Sequence, residues 1–375
     1  MLIRYGTDSK GKRVKIAEIY TADEHKIDQS LIDREALKII RRLRSSGHEA
    51  YLVGGAVRDL LVGKVPKDFD IATDALPRKV KNLFRNSRII GRRFRLVHVF
   101  YGEKIIEVST FRSNEPGGEN NVYGSLEDDV TRRDFSLNAL YYSPKEEWVL
   151  DYIGGVKDIE NKKMRSLIPL ETTFIEDPVR LIRAIKYSAN TDCTIPFKMK
   201  RSIKKFAPNI AGCPSSRLTE EIFKILQCGN SAGIFNKLEY FGIFDHLLPV
   251  IYQTIKDDRE KKEGFYNSLK EMDDKIGSGQ ITRANMLAVL VEPVIDFDKD
   301  LEVNQPLFMD TYKEMKRILT PLTPPNHDVE VAVRNIFKAK GLKPPKRPRK
   351  RYAGRYNSRK PRAGTSKKSG PAITN

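Results

Sequence analysis

The spacing of apolar and polar positions changes character along the chain. Residues 1 to 28 are polar, with only weak strand-like alternation from Arg13 to Tyr20. From Asp28 onward, Leu31, Ala36, Leu37, Ile39, Ile40 and Leu43 recur at helical spacing with charges between them, which predicts an amphipathic helix ending near Gly47. A short apolar run, Ala50 to Val53, then predicts a strand, and the pair Gly54-Gly55 a tight turn. A short helix from Ala56 to Leu61 stops at Gly63, and Pro66 holds the chain extended before a strand containing Asp68 and Asp70.

Asp74 to Phe84 reads as a helix with Pro77 in its first turn, and the runs Arg95 to Tyr101 and Lys104 to Thr110 read as a hairpin turning at Gly102-Glu103. The polar stretch Ser113 to Asn121 is loop-like by composition. Leu126 to Tyr142 reads as a mostly buried helix, and Trp148 to Ile153 as a strand that turns at Gly154-Gly155. Beyond Leu167 the strand signals nearly vanish. Helices are expected after Glu176-Asp177-Pro178, with Asp177 as N-cap and Pro178 at N1, and again over 198–206, 216–227, 231–241 and 309–319. The fold class is therefore α+β: a small mixed sheet with helices, then an all-α region, without the regular alternation of a doubly wound fold.

Composition narrows the function classes. The chain has 375 residues, 39% hydrophobic and 31% charged, room for more than one folding unit. No apolar run approaches the roughly 18 residues that cross a bilayer, and the N-terminus lacks the apolar segment of a signal peptide, so a cytoplasmic enzyme with no membrane partner is expected. Three cysteines without CxxC spacing and five scattered histidines argue against a disulfide framework and a Cys/His metal centre. The net charge of +19 is concentrated at one end: from Lys338 onward there are 14 Lys or Arg and no Asp or Glu, leaving +5 elsewhere. This Pro- and Gly-rich segment buries too little to order itself and suits sequence-independent contact with phosphates.

The candidate chemistry lies between Leu52 and Asp70. On a strand, Asp68 and Asp70 face the same way while Phe69 points to the other face and can enter a core. Two carboxylates on one face, with Glu107 on a neighbouring strand, can hold two divalent ions about 4 Å apart. Asp-x-Asp alone also describes a solvated strand, and Glu107 an outward-facing residue. A glycine pair opening a helix exposes backbone N–H groups to phosphate oxygens without a Cβ in the way, although the same pair can be an ordinary tight turn. Asp177 and Arg180 sit three apart at a helix start, where a guanidinium fork and a carboxylate can match a base edge or simply pair with each other.

With these segments in hand, LVGGAVRDLLVGKVPKDFDIATDALP, RRDFSLNAL and EDPVRLIRAIKYSA resemble the class II nucleotidyltransferase family of bacterial poly(A) polymerases and CCA-adding tRNA nucleotidyltransferases, over roughly Glu35 to Pro249. The resemblance implies a polymerase-β-like head. Asp68 and Asp70 would be the catalytic, metal-binding pair, with Glu107 the third metal carboxylate and Mg²⁺ or Mn²⁺ the cofactor. Gly54, Gly55 and Arg58 would hold the triphosphate, and Arg133 and Asn138 would serve the nucleotide. Asp134 would belong to the catalytic set, or form an ion pair with Arg132 or Arg133. Glu176, Asp177 and Arg180, with Arg183, would read the incoming base.

The segment Ile89 to Val99, IIGRRFRLVHV, is similar to the signature that separates poly(A) polymerases from CCA-adding relatives. The expected activity is thus template-independent transfer of AMP from ATP to RNA 3′ ends in RNA processing and decay. CCA addition to tRNA is one alternative and a non-catalytic RNA-binding protein another; decay-associated or ribosome-associated protein partners are not specified. The expected organisation is an N-terminal extension (1–28), a catalytic head (29–166), a helical neck (167–250), a helical body (251–340) and a disordered basic tail (341–375), whose Lys346, Arg347, Arg349, Lys350, Arg351 and Arg355 would contact RNA.

Overall fold

A computed structural model describes residues 1–7, 10–91, 95–113, 122–276, 281–295 and 305–346. Among them are nine strands: β1 (Leu2–Thr7), β2 (Arg13–Tyr20), β3 (Ala50–Val53), β4 (Asp70–Thr73), β5 (Ser87–Ile90), β6 (Leu96–Tyr101), β7 (Lys104–Thr110), β8 (Leu140–Ser143) and β9 (Trp148–Asp151). They form one sheet in the order β1-β2-β9-β8-β3-β4-β7-β6-β5. Every pairing is antiparallel except that of β4 with β7.

The helices interleaved with this sheet are α1 (Ala22–His25), α2 (Arg34–Ser45), α3 (Gly55–Leu61), α4 (Pro77–Leu83), α5 (Leu126–Thr131) and α6 (Gly155–Glu160). In α2 the Asp33 carboxylate caps the first turn, accepting from the Glu35 and Ala36 amides at 2.8 and 3.2 Å. Its buried stripe is Ala36, Ile39, Ile40 and Leu43, the spacing read from the sequence. That stripe covers one face of the sheet together with Ile71, Val97, Val99, Ile106 and Val108. Each such side chain contributes roughly 1.5–3 kcal/mol when fully buried. The opposite face packs Val53, Ala72, Phe111, Val130 and Tyr141.

Past residue 167 the described elements are helical, beginning with α7 (Leu170–Glu176), α8 (Val179–Thr191), α9 (Phe197–Phe206), α10 (Ser215–Leu226) and α11 (Ser231–Tyr240) and continuing to Asn326–Ala339. Their shared core also takes in Phe135, Leu137 and Met164, so the helical region is seated on the segment that leads into β8. None of the described helices is long and apolar enough to cross a membrane.

Four expectations need correction. The span Leu126 to Tyr142 is not one helix: α5 ends at Thr131, a 3-10 turn covers Ser136–Asn138, and Leu140–Ser143 is the strand β8. All four β8 residues are buried, so no alternation of apolar and polar positions marked it as a strand. Residues 2–7, read only as polar, form the strand β1, paired with β2, the strand signalled over Arg13–Tyr20, which joins the sheet through β9. Gly155 opens the helix α6, whose first amides are gathered by Asp151: Oδ1 accepts from Ile153, Gly154 and Gly155 and Oδ2 from Val156, at 2.8–3.0 Å. Finally, Asp177 is not the N-cap of α8. It closes α7 with φ −142° and ψ 82°, and Pro178 takes the cap position. The loop from 114 to 121 and the tail positions Arg347, Arg349, Lys350, Arg351 and Arg355 lie outside the described residues, whereas Lys346 is exposed.

Candidate active site

Strand β4 begins at Asp70, and two pairings meet there. Val53, the last residue of β3, is opposite Asp70, so the Gly54-Gly55 turn lies directly beside this carboxylate. On the other side the parallel partner of Asp70 is Glu107 of β7. Asp70 shares the sheet face of Ala72, while Phe69 packs against the core of the opposite face. The expected strand does not contain both aspartates: Asp68 precedes it, exposed in the extended segment after Pro66. Burial within the surrounding protein mass, then the charge of Glu107, push the Asp70 carboxyl up to about 6; Asp68 adds to the push, and Lys224 and Arg133 oppose it. The Asp70 side chain is nevertheless reached by solvent, so it lines an open cleft. His98 of β6 approaches Glu107 at 3.3 Å.

Crowded like charges made of hard carboxylate oxygens are the donor set a divalent cation takes. Among the described residues no three His, Cys, Asp or Glu side chains close around one point. Asp70 and Glu107 are in register across β4 and β7, and Asp68 stands in the segment before the strand.

Gly54 has φ +68° and ψ −128°, a conformation open to glycine, and a Cβ there would lie 3.4 Å from Arg133 Nη1. The first amides of α3 have no partner within the helix, since the Arg58 amide is the first to donate back, to the Gly54 carbonyl. Arg133 donates to the Tyr141 hydroxyl at 2.8 Å, to Asp129 at 2.9 Å and to the Asn138 carbonyl at 3.3 Å.

Arg58 and Asp134 are committed to protein partners. Arg58 is 5% exposed, donates to Asn138 Oδ1 at 2.7 Å and to Asp59, and lies 4.7 Å from the centre of the Tyr187 ring. Its guanidinium is thus held by protein partners while its end stays beside the turn, 3.6 Å from the position of a Cβ on Gly55. Asp134 Oδ1 accepts from the Phe135 amide and Asn138 Nδ2, and Oδ2 from Arg183 Nε at 2.7 Å. Burial alone would raise its carboxyl; the Arg183 charge and these hydrogen bonds outweigh it and hold the group below the ordinary range. Neither Arg132 nor Arg133 is its ion-pair partner, because Arg133 goes to Asp129 and Arg132 donates to the Ser113 carbonyl.

At the junction of α7 and α8, Glu176 is exposed while Asp177 and Arg180 are half-buried. Arg180 Nε is 3.7 Å from Asp177 Oδ2, which also accepts from Arg217 of α10 at 2.9 Å. Two further polar atoms of these residues, Asp177 Oδ1 and Arg180 Nη1, are buried with no hydrogen-bond partner. An acceptor and a donor without partners in the protein are groups that a ligand can satisfy.

Known proteins match this arrangement. Residues 50–165 match the family described as Poly A polymerase head domain, and residues 192–254 that described as Probable RNA and SrmB- binding site of polymerase A. Over 276 residues the chain is 41% identical to Poly(A) polymerase I of Salmonella typhi, covering 69% of this chain and 59% of that protein. The chain belongs to the class II nucleotidyltransferase family of poly(A) polymerases and CCA-adding enzymes. Poly(A) polymerase I of Haemophilus influenzae is 39% identical over 261 residues (65% of this chain, 58% of that protein), and the CCA-adding enzyme of Bacillus subtilis 35% over 199 (52% and 50%). The chain spans about three fifths of the length of the curated poly(A) polymerases it matches.

Solved nucleotidyltransferases share the fold. The Bacillus stearothermophilus CCA-adding enzyme in complex with CTP superposes with a TM-score of 0.54 at 25% identity over 83% of both chains. The Thermotoga maritima CCA-adding enzyme complexed with tRNA does so with 0.55 at 21%, over 86% of this chain and 85% of that one, a likeness of fold alone.

Several charged residues around this candidate site were missed in the sequence. On α10, Arg217 reaches Asp177, Glu221 accepts from the buried Lys186 at 2.6 Å and lies 3.7 Å from Arg183, and the charge of Lys224 reaches Asp70. Their spacing along SSRLTEEIFKIL, at i, i+4 and i+7, places three charges on one face of a helix that is otherwise largely buried. That polar stripe is a legible signal.

Proposed function

We propose that this chain extends RNA 3′ ends with AMP taken from ATP, without a template. The observation that carries the reading is the open pair, Asp177 Oδ1 and Arg180 Nη1, a buried acceptor and donor that a nucleobase edge would complete in place of a complementary strand. Adenylate is favoured over cytidylate by the greater identity and extent of the match to poly(A) polymerases than to CCA-adding enzymes.

In the reaction the RNA 3′ oxygen attacks the α-phosphorus in line. The bond from that phosphorus to the bridging oxygen breaks, pyrophosphate leaves, and the 3′ proton passes to solvent. Asp70, with Asp68 and Glu107, would hold a divalent cation such as Mg²⁺, which when bound would supply charge neutralisation and a more acidic 3′-hydroxyl. The amides of the Gly54-Gly55 turn receive phosphate oxygens beside Asp70. Asp134 and Arg58 act as positioning residues: through Asn138 they lock the wall behind the turn to α8, the helix that carries Arg180 and Arg183.

The same reading assigns residues 29–166 to the head, 167–250 to the neck and 251–340 to the body, with the basic tail gripping RNA. The test offers ATP, CTP, GTP and UTP separately to a generic RNA and to a tRNA trimmed of its terminal CCA. Efficient ATP use on the generic RNA is expected; efficient CTP use on the trimmed tRNA would replace poly(A) addition by CCA addition.

A further inference from the structure

A basic groove of about 1100 Å³ lies on the sheet face opposite Asp70, between the C-terminal ends of α2 and α4. It is lined by Lys38, Arg41, Arg42 and Arg85, with Phe84 and Tyr101 among them. The four cations are exposed. Arg41, Arg42 and Arg85 have no carboxylate partner among the described residues, and Lys38 has only a loose one, Glu35 at 3.6 Å. Elsewhere around α2 the chain does supply counter-charges: Arg44 is held by both oxygens of Glu146, at 2.7 and 2.9 Å, and Lys104 by Asp33. Three guanidinium groups gathered around one groove without a carboxylate, while Arg44 of the same helix is neutralised, point to an anion from outside the chain.

We propose that this groove seats the phosphodiester backbone of single-stranded RNA, upstream of a 3′ end held at Asp70; the proposal rests on the reading of the chain as an RNA-extending enzyme. The groove is larger than the roughly 300–1,000 Å³ that encloses a small ligand, so a single free phosphate leaves most of it empty. The half-buried Tyr101 ring stands among these guanidinium groups, with Arg42 5.6 Å from the centre of the buried Phe84 ring, and an aromatic surface among cations is what unpaired bases use. The route is short. Tyr101 pairs with Lys104 and Asp70 with Glu107, so the groove begins three residues, roughly 10 Å, along β7 from the carboxylates. Only β6 and β5 separate β7 from the sheet edge, around which a strand passes from one face to the other.

The test uses the full chain with Arg41→Ala, Arg42→Ala and Arg85→Ala combined, and measures binding of oligoadenylates of about 6 and about 20 nucleotides without ATP over a range of salt. Losing three phosphate contacts is expected to lower the salt slope for the long oligomer by about 2, at about 0.7 per phosphate on a single strand. Its affinity at low salt is expected to fall at least about tenfold, with the short oligomer unaffected. The matching Lys variant, which keeps the charges, is expected to keep the slope, separating charge loss from misfolding. Wild-type affinity and slope for the long oligomer would overturn the proposal. If that result came with loss of polyglutamate binding, the groove would belong to an acidic protein segment instead. Because ATP is absent, a chain that adds no AMP yet shows the long-oligomer defect would refute the proposed activity and not the groove.

Discussion

Arg183 Nε donates to Asp134 Oδ2 at 2.7 Å, and this bond ties α8 to the segment that leads into β8. Arg183 also lies 3.7 Å from the buried Glu221. Its removal leaves the buried Asp134 without its cation, while Glu221 keeps Lys186 at 2.6 Å, so Arg183→Ala is expected to destabilise the chain by about 2–3 kcal/mol. Urea denaturation of Arg183→Ala, Asp134→Asn and the double variant is expected to give a coupling of about 1–3 kcal/mol. Additive losses would mean the two side chains act independently.

Asp70 is expected to be needed for chemistry and not for folding. It sits among Glu107 and Asp68, whose charges resist its ionisation, so Asp70→Ala removes repulsion from the apo-protein. AMP incorporation is expected to fall about a thousandfold or more while the melting temperature stays level or rises. Chelation of divalent ions is expected to abolish wild-type incorporation, and Mg²⁺ to restore it. Incorporation that survives either treatment would remove Asp70 from the reaction centre.

The two glycines of the turn are expected to differ. Gly54 combines φ +68° with a Cβ position 3.4 Å from Arg133 Nη1, whereas a Cβ on Gly55 meets only the end of Arg58 at 3.6 Å. Gly54→Ala is expected to cost about 1–3 kcal/mol and displace Arg133, and Gly55→Ala much less. Melting curves and the KM for ATP measure both effects; equal behaviour of the two variants would show that the backbone conformation at Gly54 is not required.

Nucleotide choice is expected to follow Arg180. Arg180→Ala removes the open donor from the edge left beside Asp177. The ratio of kcat/KM for ATP to that for the other nucleotides is expected to drop at least about tenfold, a loss of about 1.4 kcal/mol or more of discrimination. Unchanged selectivity would locate base choice elsewhere.

Glu18 governs one arm of the pH dependence. It is 6% exposed, accepts from Lys15 at 2.5 Å, Lys157 at 2.8 Å and Tyr20 at 2.7 Å, and these hydrogen bonds lower its carboxyl to about 2. A lowered acid stabilises the fold above its unfolded pKa of about 4.3, and that contribution disappears as pH falls through the folded value. Glu18→Gln is expected to cost about 1 kcal/mol at pH 7, discounted because both lysines are half-exposed, and to flatten the loss of stability between about pH 5 and 2. An unaltered acid limb would show that β2 and α6 are not joined through this carboxylate.

The sequence by itself determined what depends on near neighbours. The stripe Ala36, Ile39, Ile40 and Leu43 announced α2, Gly54-Gly55 announced a turn, and two apolar runs joined at Gly102-Glu103 marked the hairpin of β6 and β7. It also placed Phe69 against a core and Asp70 on a strand, though not Asp68. These follow from periods of two and 3.6 residues and from turn chemistry, which act within a few positions.

Tertiary structure alone decided partners. Nothing local to Asp70 specifies that β7 pairs with β4 in parallel and brings Glu107 into register, because pairing register is set by how distant strands pack. Arg58 and Asp134 look available in the sequence and are buried and engaged in the fold, since Asn138 and Arg183 reach them from other elements. Strand β8 was hidden because burial on both faces erases alternation. The open edge of Asp177 and Arg180 appears only once Pro178 separates α7 from α8 and α10 supplies Arg217.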